Sequence, residues 1–133
     1  MFGDGRKQMF YVIMDLEWNN SYNKYKKCFV NEILEIGAVM VDEELEVIDT
    51  FSVIIRSQLI KKLSGRVKSL THISNEAMSS GVTFQRAVSD FSKWVGSRNC
   101  VFMSWGNSDI RVLVDNFSMF CGINGIPFLT QYV

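Results

Sequence analysis

The sequence predicts an α/β protein with a mixed five-stranded sheet and flanking helices. Three features predict this fold class: successive apolar runs rich in strand-forming residues over the first 56 positions, two later segments with helical periodicity, and a short apolar run after each of those segments. The resulting order βββ–α–β–α–β is typical of a sheet that has both antiparallel and parallel neighbours. With 133 residues, the chain has room for one domain.

The first three strands are predicted from apolar runs that polar turns separate. Residues 9–16 are rich in β-formers and predict a buried strand, whereas residues 19–27 are polar and aromatic and predict a loop. A second apolar run covers residues 32–41. The acidic cluster 42–44 then predicts a hairpin turn into a third strand over 45–56. Three strands in succession favour an antiparallel meander.

The next segments predict a helix and a fourth strand. Residues 57–69 are polar and mixed, which predicts a loop with a short helical turn. Thr83 can cap a helix that ends at Gly96, because apolar residues recur between them at helical spacing: Phe84, Val88, Phe91, Trp94 and Val95. Residues 100–104 predict the fourth strand.

The last predicted elements are a helix and a fifth strand. The helix covers residues 108–120, and Gly122 is its stop signal. Pro127 then opens an apolar stretch that predicts the fifth strand. We expect residues 1–8 to be a flexible N-terminus and residues 9–133 to form the single domain.

Composition and charge exclude several classes of protein. Hydrophobic residues make up 47% of the chain and charged residues 21%, so intrinsic disorder is not expected. The formal net charge is zero, so nucleic acid would have to be held by a local patch or by metal ions. No apolar run reaches the about 18 residues that span a membrane, and no signal peptide is apparent. Three widely spaced cysteines without zinc spacing predict reduced thiols in a cytoplasmic protein.

The triplet Asp15-Leu16-Glu17 at the end of the first strand is the main candidate site. Residues i and i+2 of a strand point to the same side, so both carboxylates would project together as oxygen ligands for Mg²⁺ or Mn²⁺. The alternative is an exposed strand end. A second triplet, from Asp42 to Glu44, is expected to form a solvated turn. The first differs because it follows an apolar run, where an unpaired carboxylate is costly.

Asp109 is the second candidate. It follows a strand and a glycine-containing turn in the segment SWGNSDI, just inside a predicted helix. The alternative to a site residue is that Asp is favoured in the first helical turn by the helix dipole.

The segments MDLEWN, EILEIGAVMVDEELEVIDTFSVIIR, LTHIS and SWGNSDIRVL together resemble the DnaQ-like, RNase T-like 3′→5′ exonucleases of the DEDD superfamily. The nearest resemblance is to bacterial members grouped with the ERI-type exonucleases and with predicted sporulation-pathway exonucleases. It runs from about residue 9 to the C-terminus, with the segments in the family's order. It implies an RNase H-like fold and removal of nucleotides from the 3′ end of single-stranded RNA or DNA.

The resemblance implies a role for each acidic candidate. Asp15 and Glu17 match the family's first motif, and Asp109 matches its second acidic motif. Asp15 would bridge two ions, Mg²⁺ or Mn²⁺, with Glu17 and Asp109 supporting one each. Two ions about 3.5–4 Å apart would activate a water and stabilise the leaving 3′-oxygen.

One departure from the family pattern concerns the last motif. The family has a histidine followed five residues later by an aspartate on a C-terminal helix, of the type called DEDDh. This chain stops at Val133, where the fifth strand is expected, and its single histidine is His72. The C-terminal part of the domain is therefore expected to be missing, the chain itself to be inactive, and the uncovered apolar surface to favour self-association.

The resemblance also draws attention to residues that would contact nucleic acid. Trp18, directly after the acidic pair, could stack on a base or could pack in the core. Lys24, Lys26 and Lys27 are interleaved with tyrosines in a loop that we place beside the candidate site, where they could grip phosphates; an ordinary solvated loop is the alternative.

Four further residues are weighed against structural roles. His72 is expected to be a partly exposed packing residue without catalytic duty. Glu35 lies in the second strand, where the family often carries an acid, and its functional and structural interpretations stay open. Trp94 and Trp105 are expected in the core. Two other functions stay open as well: a non-catalytic nucleic-acid-binding or regulatory domain on the same fold, and a purely structural α/β domain.

Overall fold

A computed structural model describes residues 8–122 of the chain. The expected flexible N-terminus, apart from Gln8, and the expected fifth strand after Pro127 lie outside the described residues. Within residues 8–122 the chain folds as a four-stranded sheet with helices on both faces.

The four strands form a mixed sheet in the order β3-β2-β1-β4. Their bounds are Met9–Asn23 for β1, Cys28–Val41 for β2, Val47–Ile54 for β3 and Asn99–Met103 for β4. Strands β1, β2 and β3 pair antiparallel, which confirms the predicted meander. Strand β4 follows a helical connection from β3 and pairs parallel with β1.

The expected loop over residues 19–27 is wrong for its first half, because β1 continues to Asn23 and pairs with β2 as far as Cys28. Cross-strand contacts stabilise this extension in spite of its polar sequence. Asn20 Nδ2 donates to Asn31 Oδ1 at 2.9 Å, and the Tyr22 and Phe29 rings meet edge to face with centroids 5.3 Å apart. We call this two-stranded extension, β1 18–23 with β2 28–33, the ribbon.

Four helices occur within the described range: α1 Gly65–Thr71, α2 Asn75–Ser79, α3 Phe84–Val95 and α4 Asn107–Cys121. The capping predictions for the two long helices are confirmed. The Thr83 side chain accepts from the Arg86 amide, and Gly96 and Gly122 end α3 and α4 with positive φ. Helix α2 was not predicted, because five residues carry too little periodicity.

Two apolar clusters lie on opposite faces of the sheet. The larger one packs the sheet against α3 and α4 and includes Val12, Leu16 and Ile33. The smaller one consists of Leu34, Leu63, Ile73 and Met78. Consecutive residues 33 and 34 serve different clusters because the β1–β2 register shifts there, leaving Leu34 as the extra residue of a bulge.

Buried Asn116 of α4 supports the bulged strand. Its side-chain oxygen accepts from the Ile33 amide at 3.0 Å, and its Nδ2 donates to the carbonyls of Asn31 and Val112 at 2.7 and 2.8 Å. The side chain is fully buried and its hydrogen-bonding capacity is used by main-chain groups. Asn116 therefore fixes the position of α4 relative to the ribbon.

None of the helices in residues 8–122 combines the length and the apolar character that a membrane crossing requires. All three cysteines are free thiols, with Cys100 buried and Cys28 exposed.

Candidate functional site

Asp15 and Glu17 lie on the sheet face opposite α3 and α4. Along β1 the side chains of Val12, Met14 and Leu16 are buried, whereas Asp15 is exposed and Glu17 is half-buried. This alternation is the period of two that a strand imposes. The two carboxylates therefore project from the same face of β1.

Asp109 reaches the same segment of β1 from the first turn of α4. Strand β4 ends at Met103, opposite Ile13, so within residues 8–122 no strand pairs with β1 beyond that point on this side. Asp109 Oδ2 takes up the vacant position and accepts a hydrogen bond from the Leu16 amide at 3.2 Å. This bond brings the Asp109 carboxylate to the residue that stands between Asp15 and Glu17.

Glu35 adds a fourth carboxylate. It is the direct antiparallel partner of Glu17, so the two side chains share a face of the sheet. Glu35 therefore belongs to a group of four neighbouring carboxylates. We call this group the acidic edge; it consists of Asp15, Glu17, Glu35 and Asp109.

The electrostatics of the acidic edge show an excess of negative charge. Burial, followed by the charges of Asp15 and Glu35, raises the pKa of Glu17 above its ordinary value. Burial and then Asp15 raise the pKa of Glu35. Burial also raises the pKa of Asp109, partly offset by the hydrogen bond from Leu16 and reinforced by Asp15. A bound cation would relieve this repulsion.

The donor set fits a hard divalent cation. Carboxylate oxygens are the preferred protein ligands of Mg²⁺ and Mn²⁺, and such ions usually keep several waters. Among residues 8–122, no group of three or more His, Cys, Asp or Glu side chains is arranged so that it could hold a metal ion. The acidic edge therefore brings the three predicted ligands, Asp15, Glu17 and Asp109, to one part of the sheet without forming such a group.

His72 was expected to be a partly exposed packing residue. It is exposed and ends α1 in the left-handed conformation, with φ of 60°. Its proximity works against the rise in the pKa of Glu17.

Trp18 both packs and lines a surface. Its half-buried ring contacts the larger apolar cluster, and it also forms part of two clefts. One cleft, of about 230 Å³, lies between β1 and α1 and is lined by Leu16, Glu17, Trp18, Val67, Leu70 and Thr71. The other, of about 310 Å³, lies on the α4 side and includes Asn31, Asn107 and Arg111. We call them the α1 cleft and the α4 cleft.

Of the two other tryptophans, which were both expected in the core, one packs there and the other is exposed. Trp94 packs as expected, with its ring centroid 5.5 Å from that of Phe51, and its Nε1 donates to Asp49 Oδ2 at 3.0 Å. Trp105 is fully exposed in the connection between β4 and α4, so the expectation of a core position was wrong.

The three lysines lie further from the acidic edge than expected. Residues 24–27 form the turn at the tip of the ribbon, where Lys24, Lys26 and Lys27 are exposed. Because β1 is extended from Glu17 to Asn23, the turn lies roughly 23 Å along the strand direction from Glu17. The lysines therefore stand at the far end of the ribbon rather than beside the carboxylates.

Some cleft residues were not predicted from the sequence: Asn31, Asn107, Ser108, Arg111 and Val112 of the α4 cleft, and Val67, Leu70 and Thr71 of the α1 cleft. Asn107 and Arg111 are one helical turn apart on α4, and that spacing places them on one face once the helix start is known. The α1 wall could not be predicted, because helix α1 was expected only as a turn within a loop.

Comparison with known proteins identifies one matching family model and several relatives of similar sequence. A family model described as "Exonuclease", RNase_T, matches residues 12–130. The probable 3′-5′ exonuclease KapD of Bacillus subtilis is 32% identical over 118 residues, which are 88% of this chain and 55% of KapD. The PolC-type DNA polymerase III of Staphylococcus saprophyticus is 33% identical over 90 residues, which are 68% of this chain and 6% of the polymerase. The chain thus spans about half the length of KapD.

Solved structures share the fold at low sequence identity. The nuclease domain of 3′hExo, a DEDDh family member bound to rAMP, superposes with a TM-score of 0.79 at 22% identity and covers 93% of this chain and 65% of that one. Escherichia coli exonuclease I in complex with a dT13 oligonucleotide superposes with a TM-score of 0.62 at 12% identity and covers 83% and 24%. These matches confirm the RNase H-like α/β fold.

Proposed function

The chain belongs to the exonuclease family of the RNase_T model, whose members hydrolyse phosphodiester bonds, and on that premise we propose that residues 9–133 belong to a metal-dependent 3′→5′ exonuclease domain. Its substrate is the 3′ end of single-stranded RNA or DNA. Asp15, Glu17 and Asp109 would hold Mg²⁺ or Mn²⁺, and Asp15 would contribute to the binding of both ions.

One observation carries the proposal: the hydrogen bond from the Leu16 amide to Asp109 Oδ2 at 3.2 Å. It ties the acid of α4 to the strand that carries Asp15 and Glu17. A helix-start aspartate that served only the helix dipole would have no reason to bond a strand 93 residues away. The raised pKa values of Glu17 and Asp109 support the same assignment, since acids gathered for a cation repel one another in its absence.

When bound, the ions would supply charge neutralisation at the scissile phosphate and a water of lowered pKa. The residues of the chain would position the ions and the water. The Asp109 carboxylate is held by the β1 main chain, and pairing with β2 fixes the main chain that carries Glu17.

The α1 cleft is suited to the terminal nucleoside. Glu17 forms part of its wall, and Trp18, Leu70 and Val67 supply apolar surface for a base. Leu70 is exposed despite its size, as a residue that contacts a ligand would be. Trp18 therefore serves as a base contact in this proposal. Lys24, Lys26 and Lys27 contact phosphates only of a strand long enough to run along the ribbon.

A general base is the missing part of the described site. The family's catalytic histidine stands on a C-terminal helix, and this sequence has one histidine, His72, at the end of α1. A positioned base contributes about 10²–10⁴-fold to rate. We therefore expect the 133-residue chain alone to trim strands weakly or not at all.

The first test is metal binding. Mn²⁺ should raise the melting temperature of the wild-type chain, because an ion that binds only the folded state stabilises it. Glu17→Gln should abolish most of that rise. The matched control is Glu44→Gln in the second Asp-x-Glu triplet, which is an exposed turn held by Asp42 and should leave the rise unchanged. An equal response of both variants to Mn²⁺ would contradict the assignment of the site.

The alternative function is a non-catalytic nucleic-acid-binding domain on the exonuclease fold, which the single histidine favours. Incubation of the chain with labelled single-stranded RNA and DNA in Mn²⁺ separates the two functions. Stepwise 3′ trimming that disappears in Asp15→Ala supports the enzyme. Binding without trimming, unaffected by added C-terminal sequence from a longer homologous chain, supports the binding domain.

A further inference from the structure

The α4 cleft holds polar and charged groups that the proposed exonuclease site does not use. It lies between the ribbon and α4, next to the acidic edge, with a volume of about 310 Å³. Trp18 separates it from the α1 cleft, since this residue lines both. A strand whose terminal nucleotide occupied the α1 cleft would pass Trp18 and meet the α4 cleft with its next nucleotides.

Arg111 is the cation of this cleft. It is the single Lys or Arg in the sequence of α4. It lies one turn after Asn107 and Ser108 on the same helix face, and helical side chains tilt towards the N-terminus of their helix. Its stem therefore points towards the end of α4 that carries Asp109. Within residues 8–122 its guanidinium makes no hydrogen bond or ion pair.

Two amide side chains complete the donor set. Asn31 lines the cleft, and because its Oδ1 already accepts from Asn20, its Nδ2 is the group that can donate to a ligand. The main chain of Asn31 is fixed in turn by buried Asn116. Asn107, exposed at the start of α4, is the second donor. Asp115, the next acid along α4, lines the neighbouring hollows but not this cleft.

We propose that Arg111, with Asn31 and Asn107, forms a subsite for a backbone phosphate upstream of the scissile bond. This inference rests on the proposed function, because it assumes that the 3′ terminus lies at the acidic edge. Guanidinium is suited to the task, since its fork matches two phosphate oxygens. The chain has no net charge and the edge itself is acidic, so a cation beside that edge is where a polyanion gains attraction.

The test compares wild type, Arg111→Gln and a matched control, Arg86→Gln. Arg86 is also an exposed helical arginine, but it pairs with Asp90 on α3 and lines neither cleft. The probe is a fluorescein-labelled oligothymidylate of about ten nucleotides with a free 3′ end, in Mn²⁺. Anisotropy gives its affinity at several salt concentrations, and a gel checks that the strand stays intact. Calorimetry gives the affinity for AMP.

One phosphate contact contributes about 0.7 to the slope of log affinity against log salt for a single strand. Arg111→Gln should lower the slope by that amount. The loss of strand affinity caused by this substitution should therefore be about fivefold larger at 0.1 M salt than at 1 M salt. Arg86→Gln should match wild type, and AMP should bind all three proteins equally. An Arg111→Gln slope equal to that of wild type, with AMP binding intact, overturns this inference alone. Failure of wild type to bind AMP or the strand in Mn²⁺ overturns the proposed function and this inference with it.

Discussion

At the scale of single residues, the carboxylate of Glu17 links charge to stability. Burial and the neighbouring acids raise its pKa above the ordinary 4.5, so the folded chain retains the proton to higher pH than the unfolded chain does. The free energy of unfolding should therefore fall as pH rises from about 4.5 through the raised pKa, and should level off above it.

This pH dependence is checked by melting curves of the metal-free chain from acidic to neutral pH. Glu17→Gln should flatten the fall in melting temperature, because the neutral amide no longer titrates, while Glu44→Gln should keep the wild-type profile. Mn²⁺ should also reduce the fall. A profile that is identical in wild type and Glu17→Gln would show that the raised pKa does not affect folding.

Single residues also show which contacts can be predicted from sequence patterns and which cannot. Asp15 and Glu17 could be placed on one face of a strand because a period of two is local. Their meeting with Asp109 could not, since the bond to Leu16 joins positions 93 apart and only the family resemblance brought them together. Trp105 was misplaced because apolar character alone was used, whereas its exposure depends on the short connection in which it lies.

At the scale of elements, Asn116 joins α4 to the bulged strand β2. Asn116→Ala would leave the Ile33 amide and the Asn31 carbonyl without their side-chain partner, so we expect a loss of about 2–4 kcal/mol in the free energy of unfolding. Asn20→Ala, at an exposed position of the same ribbon, should cost well under half as much. Urea denaturation measures both, and similar losses would contradict this role of Asn116.

Elements differed in how far they could be predicted. Helices α3 and α4 were correct in extent, because their periodicity and their caps Thr83, Gly96 and Gly122 are all local. The ribbon was missed because its strands are stabilised by cross-strand contacts, such as Tyr22 with Phe29, that no single run of sequence reveals. Helix α2 depends on its Ser74 cap and on burial of Met78.

At the scale of the whole molecule, main-chain hydrogen bonds join the end of β3 to the segment before α3. Ile55 and Val82 form a parallel bridge, with hydrogen bonds from the Arg56 amide to the Val82 carbonyl and from the Val82 amide to the Ile54 carbonyl, at 2.7 and 3.0 Å. Gly81 allows this approach. A Cβ there would lie 2.8 Å from both Arg56 N and Ile54 O, which are main-chain atoms.

Gly81→Ala should consequently destabilise the chain by about 1–3 kcal/mol, because the two main-chain segments would have to separate. Gly65→Ala is the matched control, since a Cβ at that position meets nothing within 4 Å. Thermal melting of both variants decides the matter. Equal melting temperatures of the two variants would mean that the two main-chain segments can separate at Gly81 with little loss of stability.

The bond between Leu16 and Asp109 has a consequence for the order of folding. Strands β1 and β2 are joined by a four-residue turn, so they can pair early, whereas α4 must close a loop of more than 90 residues before Asp109 meets β1. During synthesis, Asp15 and Glu17 therefore leave the ribosome long before their third partner does. A nascent chain has the hairpin but no complete acidic edge, and we expect it to gain its capacity to hold an ion only when folding is nearly finished.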